Sequence, residues 1–98
     1  MLKLDKQRHF DWDKANIDKS YLKHGITSNQ AEEAFLDEKA IVLRDFKHFQ
    51  KEERYLLIGE ISTKKILLVV FTIRAKKIRI ISARAANKKE VNRYVQTI

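Results

Sequence analysis

The amino-acid sequence predicts an α+β fold: two N-terminal helices, a four-stranded, mainly antiparallel sheet and a C-terminal helix. Three observations carry this prediction. Ile66–Ile73 is an unbroken apolar run rich in β-branched residues, the pattern of a central strand buried on both faces. Ile78–Arg84 alternates apolar with charged or small residues, and only Arg74-Ala75-Lys76-Lys77 separates it from that run, so the two form a hairpin. Capping residues bracket helical segments before and after the strands, an order that groups the strands together.

Taken in order, Asp13 N-caps a helix starting at Lys14, because its carboxylate accepts orphan N–H groups and suits the positive end of the dipole. Ile17 and Tyr21 lie four apart, with Ala15 and Leu22 close to the same side. Lys23 and His24 occupy the last turn, where cations are favoured, and Gly25 supplies the left-handed residue that ends it. Trp12 reads as a staple holding this helix to the sheet. Thr27-Ser28-Asn29-Gln30 has capping-box form, with Thr27 as cap, and opens a short helix with Ala31, Ala34 and Phe35 on one stripe. Asp37-Glu38 ends it.

Ala40–Leu43 is a strand and Arg44–Glu52 a polar connection. Arg54–Ile61 is the next strand, with Leu56 and Ile58 on one face and Tyr55 and Leu57 on the other. Gly59 marks either a bulge or a close backbone approach. Ser62–Lys65 turns into the hairpin, whose own turn lacks an Asn-Gly or Asp-Gly signal. Asn87, with Glu90 three residues on, caps a final helix over about Lys88–Val95, with Val91, Tyr94 and Val95 as its apolar stripe.

The 98 residues suit one domain, 1–98, with one core, and an apolar content of 44% supports folding. The absence of cysteine excludes disulfides and a thiolate nucleophile. The N-terminal residues show no apolar signal-peptide region, and Ile66–Ile73 is too short to span a bilayer, so a soluble cytoplasmic protein is expected, without a membrane partner. Net charge is +8 and unevenly placed. Residues 1–40 hold seven Lys and Arg against eight Asp and Glu, whereas residues 41–98 hold fourteen against five. The strand-rich half is electropositive, which favours a polyanion, either nucleic acid or an acidic protein, although a merely solvated basic surface has the same composition.

His9, His24 and His48 are scattered without metal-ligand spacing, and Gly25 and Gly59 are the only glycines, so no phosphate-cradling loop or nucleophile elbow exists. What remains is imidazole, carboxylate, lysine and arginine chemistry. RNA carries its own nucleophile, the 2′-hydroxyl, so its cleavage needs a proton acceptor, a proton donor for the leaving oxygen and cations for the phosphorane charge. The residues with these functions also have plainer readings. Lys23 and His24 complement a helix dipole, and His48 is a solvated loop histidine. Glu53 and Arg54 point to opposite faces, so one can line a site while the other pairs structurally. Arg79 shares parity with Ile81 and Ala83, and Arg84 with Ile80 and Ser82, which places the two arginines on opposite faces unless a bulge intervenes. Arg74 shares parity with Thr72.

As an ordered set, Trp12-Asp13, Asn16, Lys23-His24-Gly25, Ala31, Phe35-x-Asp37, Asp45-x-Lys47-His48, Glu52-Glu53-Arg54, Ile58-Gly59, Leu68-Val69-Val70-Phe71-Thr72-x-Arg74, Ile78-Arg79-Ile80-Ile81-Ser82-Ala83-Arg84-x-Ala86, Glu90 and Tyr94 resemble the BrnT family of toxins. The resemblance covers about residues 9–95. The chain departs from it at Ser28, where the family usually has Phe, and at Glu38, where Pro is common.

The resemblance implies a RelE-like fold and a metal-independent ribonuclease toxin of a type II toxin–antitoxin pair, without a cofactor. It also implies a BrnA-type antitoxin partner, through which alone the complex meets DNA, and a hetero-oligomer of the two. With that resemblance, Arg74, Arg79 and Arg84 are expected to supply the cations, and Lys23, His24, His48 and Glu53 the acid and base. Arg54, Lys76, Lys77, Lys88 and Tyr94 are expected to contact RNA, although core packing competes for Tyr94. The rival reading is a non-catalytic basic module that holds an acidic partner or nucleic acid.

Overall fold

A computed structural model of the chain describes residues 10–12, 14–45 and 53–97, with the side chains of residues 14–17 and 20 outside the description. The Asp13 cap, the Ala15 and Ile17 part of the first helix stripe, and His48 fall outside the described residues. The elements are β1 (Phe10–Trp12), α1 (Lys14–His24), α2 (Ser28–Ala34), β2 (Ile41–Arg44), β3 (Tyr55–Glu60), β4 (Ile66–Arg74), β5 (Lys77–Ala85) and α3 (Lys88–Thr97).

One five-stranded sheet has the order β1-β5-β4-β3-β2. β2 to β5 are antiparallel neighbours, but β1 adds in parallel to β5, pairing Phe10 with Ile78 and Trp12 with Ile80. The sheet is therefore mixed and has one strand more than expected. Three residues are too few to show a strand period, and β1 exists because the β5 edge offers it a hydrogen-bonding partner. Trp12 is accordingly a strand residue. It packs on the main core and donates its indole N–H to Glu32 Oε2 of α2 at 3.0 Å.

The caps within the described residues are as the sequence predicts. Gly25 has φ +68° and donates its N–H to Tyr21 O at 2.8 Å, which closes α1. The Tyr21 and Leu22 side chains, expected on an apolar stripe, are instead 55% and 85% exposed, so capping rather than burial defines the end of this helix. Thr27 Oγ1 accepts the Gln30 N–H at 3.2 Å while Gln30 Oε1 accepts the Thr27 N–H at 3.0 Å. Ala31 and Ala34 are fully buried, and their small side chains let α2 lie close on the sheet. There Gly59 is a close-approach residue: a Cβ on it would sit 2.6 Å from Ala34 O.

At α3, Asn87 Oδ1 accepts the Glu90 N–H and Glu90 Oε1 accepts the Asn87 N–H, each at 2.9 Å. Of its expected stripe, Tyr94 is buried and Val91 half-buried, but Val95 is 53% exposed. Val95 lies about 100° round the helix from Tyr94, the residue that makes the contact with the sheet.

The two faces of the sheet carry different cores. The main core, under α2, gathers Ile26, Leu57, Val69, Phe71, Ile78 and Ile80. Phe35 and Tyr55 pack on Phe71 at ring-centroid distances of 5.1 and 5.4 Å. The smaller core, under α3, is Ile58, Leu68 and Tyr94.

Across β4 and β5 the register changes: Val70 pairs with Ser82 but Phe71 with Ile80, which leaves Ile81 without a partner. This bulge reverses the side-chain parity of β5, so Ile78, Ile80 and Ala83 all face the main core. The β4–β5 turn holds Ala75 at φ 47° and Lys76 at φ 66°, the left-handed pair that a two-residue hairpin turn of type I′ needs.

Candidate active site

The bulge decides what lies on the α3 side of the sheet. With Ile81 looped out, Arg79, Ser82 and Arg84 share that face, where strict alternation would separate the two arginines.

Cross-strand pairing sorts the face into rows. Ile41, Ile58, Leu68 and Arg84 form one row, and α3 covers it. Leu43, Leu56, Val70 and Ser82 form the next. In the third, Thr72 pairs with Arg79, and Arg79 with Asp11. Arg54 joins this third row one residue beyond the β3 ladder, which begins with Tyr55 opposite Phe71. Two hydrogen bonds hold the extension: Asp45 N–H to Arg54 O at 2.9 Å and Thr72 Oγ1 to Glu53 O at 2.5 Å. The third row is thus Arg54, Thr72, Arg79 and Asp11 across four strands, with Arg74 further along β4 on the same face.

Thr72 is 1% exposed, and its hydroxyl fixes the entry to β3 beside the arginines. Arg79 Nη1 lies 3.8 Å from Asp11 Oδ2, with side chains 27% and 48% exposed. Strands in a sheet are about 4.8 Å apart, so the backbones of Arg54 and Arg79, two strands apart, are about 10 Å from one another. The row supplies the cations of Arg54 and Arg79, the hydroxyl of Thr72 and the carboxylate of Asp11.

Arg84 shares the face but is engaged differently. Its Nη1 and Nη2 donate to Glu90 Oε1 and Oε2 at 2.8 and 2.9 Å, and Nη1 also reaches Ala85 O at 3.1 Å. Burial disfavours the Glu90 carboxylate, but the Arg84 and Asn87 hydrogen bonds and the Arg84 charge outweigh it and hold the pKa below the ordinary value. Arg84 thereby anchors α3 to β5.

Glu53 Oε2 accepts the Tyr55 hydroxyl on the main-core side, so its carboxylate turns away from the row that Arg54 joins. That hydrogen bond, with burial and the Glu53 charge, raises the Tyr55 pKa. Lys23 and His24 are exposed in the last turn of α1. Lys76 and Lys77 are exposed at the β4–β5 turn, and Lys88 is exposed at the start of α3.

Tyr94, expected among the RNA contacts, is 4% exposed and donates its hydroxyl to Asp37 Oδ2 at 2.5 Å. Burial and the Asp37 carboxylate raise its pKa far above the ordinary tyrosine value. Its ring packs between α3 and the sheet, where no base can stack on it. Asp11, Thr72 and Ser82 were not among the expected site residues. Thr72 does leave a trace in the sequence, as a hydroxyl residue within an apolar run, but Asp11 becomes visible only through the parallel pairing of β1.

The family model for the ribonuclease toxin BrnT of type II toxin–antitoxin systems matches residues 12–90. Among solved structures, the 1.1 Å crystal structure of the Brucella abortus ribonuclease toxin BrnT is similar to this chain, with a TM-score of 0.64 at 22% identity. The match covers 84% of this chain and 100% of that one. At that identity the likeness speaks for the fold. No curated protein matches this chain. The family match runs from β1 into α3 and includes Arg54, Thr72, Arg74, Arg79 and Arg84, so the chain belongs to the BrnT family of ribonuclease toxins of type II toxin–antitoxin systems.

Proposed function

We propose that this chain is an endoribonuclease that cleaves RNA in the cytoplasm on the α3 side of its sheet, without a metal ion. A BrnA-type antitoxin neutralises it, and the pair meets DNA only through that antitoxin. The observation that carries this reading is the Ile81 bulge, which sets Arg79 on the same face as Arg54, Thr72 and Arg74. In the proposed reaction the ribose 2′-hydroxyl attacks the adjacent phosphorus and the bond to O5′ breaks, leaving a 2′,3′-cyclic phosphate and a 5′-hydroxyl. One side chain takes the 2′ proton and another protonates O5′. Lys23, His24 and His48 are the candidates, the last outside the described residues, whereas Glu53, expected with them, is held by Tyr55 on the opposite face. Arg54, Arg74 and Arg79 stabilise the charge on the phosphorane oxygens, where preorganised cations contribute most. Lys76, Lys77 and Lys88 extend the phosphate contacts.

The test is cleavage of RNA by the purified chain in excess EDTA. Continued cleavage with 2′,3′-cyclic or 3′-phosphate ends is expected, and Arg79→Ala should slow it by at least about tenfold. Loss of cleavage in EDTA that magnesium restores would overturn metal independence. Tight RNA binding by the folded chain without any cleavage would favour the binding-module reading.

A further inference from the structure

Between α3 and the arginine row lies a strip of sheet, the row of Leu43 and Leu56, that neither covers. Its floor is Leu43 and Leu56, with the buried Ile58 and Leu68 where the floor passes under α3, and α3 walls that side with Lys89, Asn92, Arg93 and Gln96, enclosing a groove of about 490 Å³. Lys89 and Arg93 are exposed, while Glu90, the acid on this wall, is committed to Arg84. On the other side the next row carries Arg54 and Arg79. The groove thus has an apolar floor between two cationic borders. β2, which supplies Leu43, is the last strand of the sheet.

We infer that this groove is a docking site for a protein segment of the antitoxin that is apolar along its centre and acidic along both edges. Charge complementarity selects the occupant. The leucine and isoleucine floor rewards burial of apolar side chains, and the Lys89–Arg93 border and the arginine row both demand carboxylates. RNA would satisfy the borders, but among the described residues the groove lining offers its bases no aromatic side chain to stack on. A segment seated here lies beside Arg54 and Thr72, so it blocks RNA there. The inference rests on the proposal that an antitoxin holds this chain, and it names the surface used.

The test co-expresses the chain with the protein encoded beside its own reading frame and measures the affinity of the purified pair. The double variant Lys89→Glu, Arg93→Glu changes only exposed α3 side chains. It is expected to weaken that affinity by at least about tenfold, to escape neutralisation in cells and to cleave RNA at the wild-type rate. Leu56→Asn, monitored for folding by its thermal midpoint, should weaken binding in the same direction. Unchanged affinity in the double variant overturns the groove, as does an effect on RNA cleavage without one on the partner, which would make this an RNA surface. Failure of the wild-type chain to bind or be neutralised by its neighbour overturns the antitoxin reading itself, and the inference with it.

Discussion

Arg79 and Arg84 lie five residues apart on one strand and face the same side of the sheet, because Ile81 between them has no partner on β4. Their surroundings nevertheless differ. Arg79 is 3.8 Å from an exposed Asp11, whereas Arg84 grips Glu90 with both guanidinium arms. The same residue type therefore serves two ends, and substitution should separate them. Arg79→Ala is expected to lower RNA cleavage and flatten its salt dependence, while leaving the thermal midpoint nearly unchanged. Arg84→Ala is expected to cost about 1 kcal/mol of stability through loosening of α3. Paired thermal melts and cleavage assays check both, and an equal loss of stability in the two variants would contradict the division.

The second prediction concerns acid. Asp37 joins three elements: Oδ2 accepts the Glu60 N–H at 2.8 Å and the Tyr94 hydroxyl, and Oδ1 accepts the Lys39 N–H at 3.0 Å. Burial opposes its ionisation, but these hydrogen bonds and the Lys39 charge prevail and lower its pKa. A carboxylate with a depressed folded pKa stabilises above its unfolded pKa, near 3.8, and that contribution is lost as pH falls through the folded value. Glu90 acts in the same direction from 4.5. Stability should therefore drop below about pH 4, with the docking of α3 yielding first. In Asp37→Asn the acid-dependent loss should be smaller, as followed by denaturant midpoints between pH 3 and 7.

Gly59→Ala should destabilise the fold by about 1–3 kcal/mol. The added Cβ would meet Ala34 O at 2.6 Å and Leu57 Cδ2 at 3.1 Å, and the carbonyl belongs to helix backbone that cannot step aside. A chemical-denaturation midpoint equal to wild type would show that α2 can lift away from the sheet without penalty.

The β4–β5 turn offers the opposite sign. Ala75 and Lys76 hold left-handed backbone that costs an L-residue about 1 kcal/mol or more each. Replacing the pair by Asn-Gly, the residues that favour this turn, should raise stability by about 1 kcal/mol. Cleavage of a long RNA should fall only modestly, since Lys76 is one cation among several at that end.

Local physics made much of this molecule legible in the sequence. Thr27 with Gln30, Gly25, and Asn87 with Glu90 cap their helices as the residue types require, because a capping bond joins neighbours in the chain. The two faces of β3 follow from the two-residue period of a strand, and the unbroken apolar run of β4 follows from burial on both faces. The full ordered set of motifs from Trp12-Asp13 to Tyr94 was enough to suggest the family.

Tertiary structure decided the rest. β1 is a strand only because β5 lies beside it, and three residues alone cannot show a period. Arg79 and Arg84 share a face only because β4 pairs on both sides of Ile81 and leaves it unpaired, and a bulge is a property of two strands together. Tyr94 turned inward because Asp37, 57 positions earlier in the chain, accepts its hydroxyl. Each of these outcomes depends on a partner remote in sequence, which no local pattern encodes.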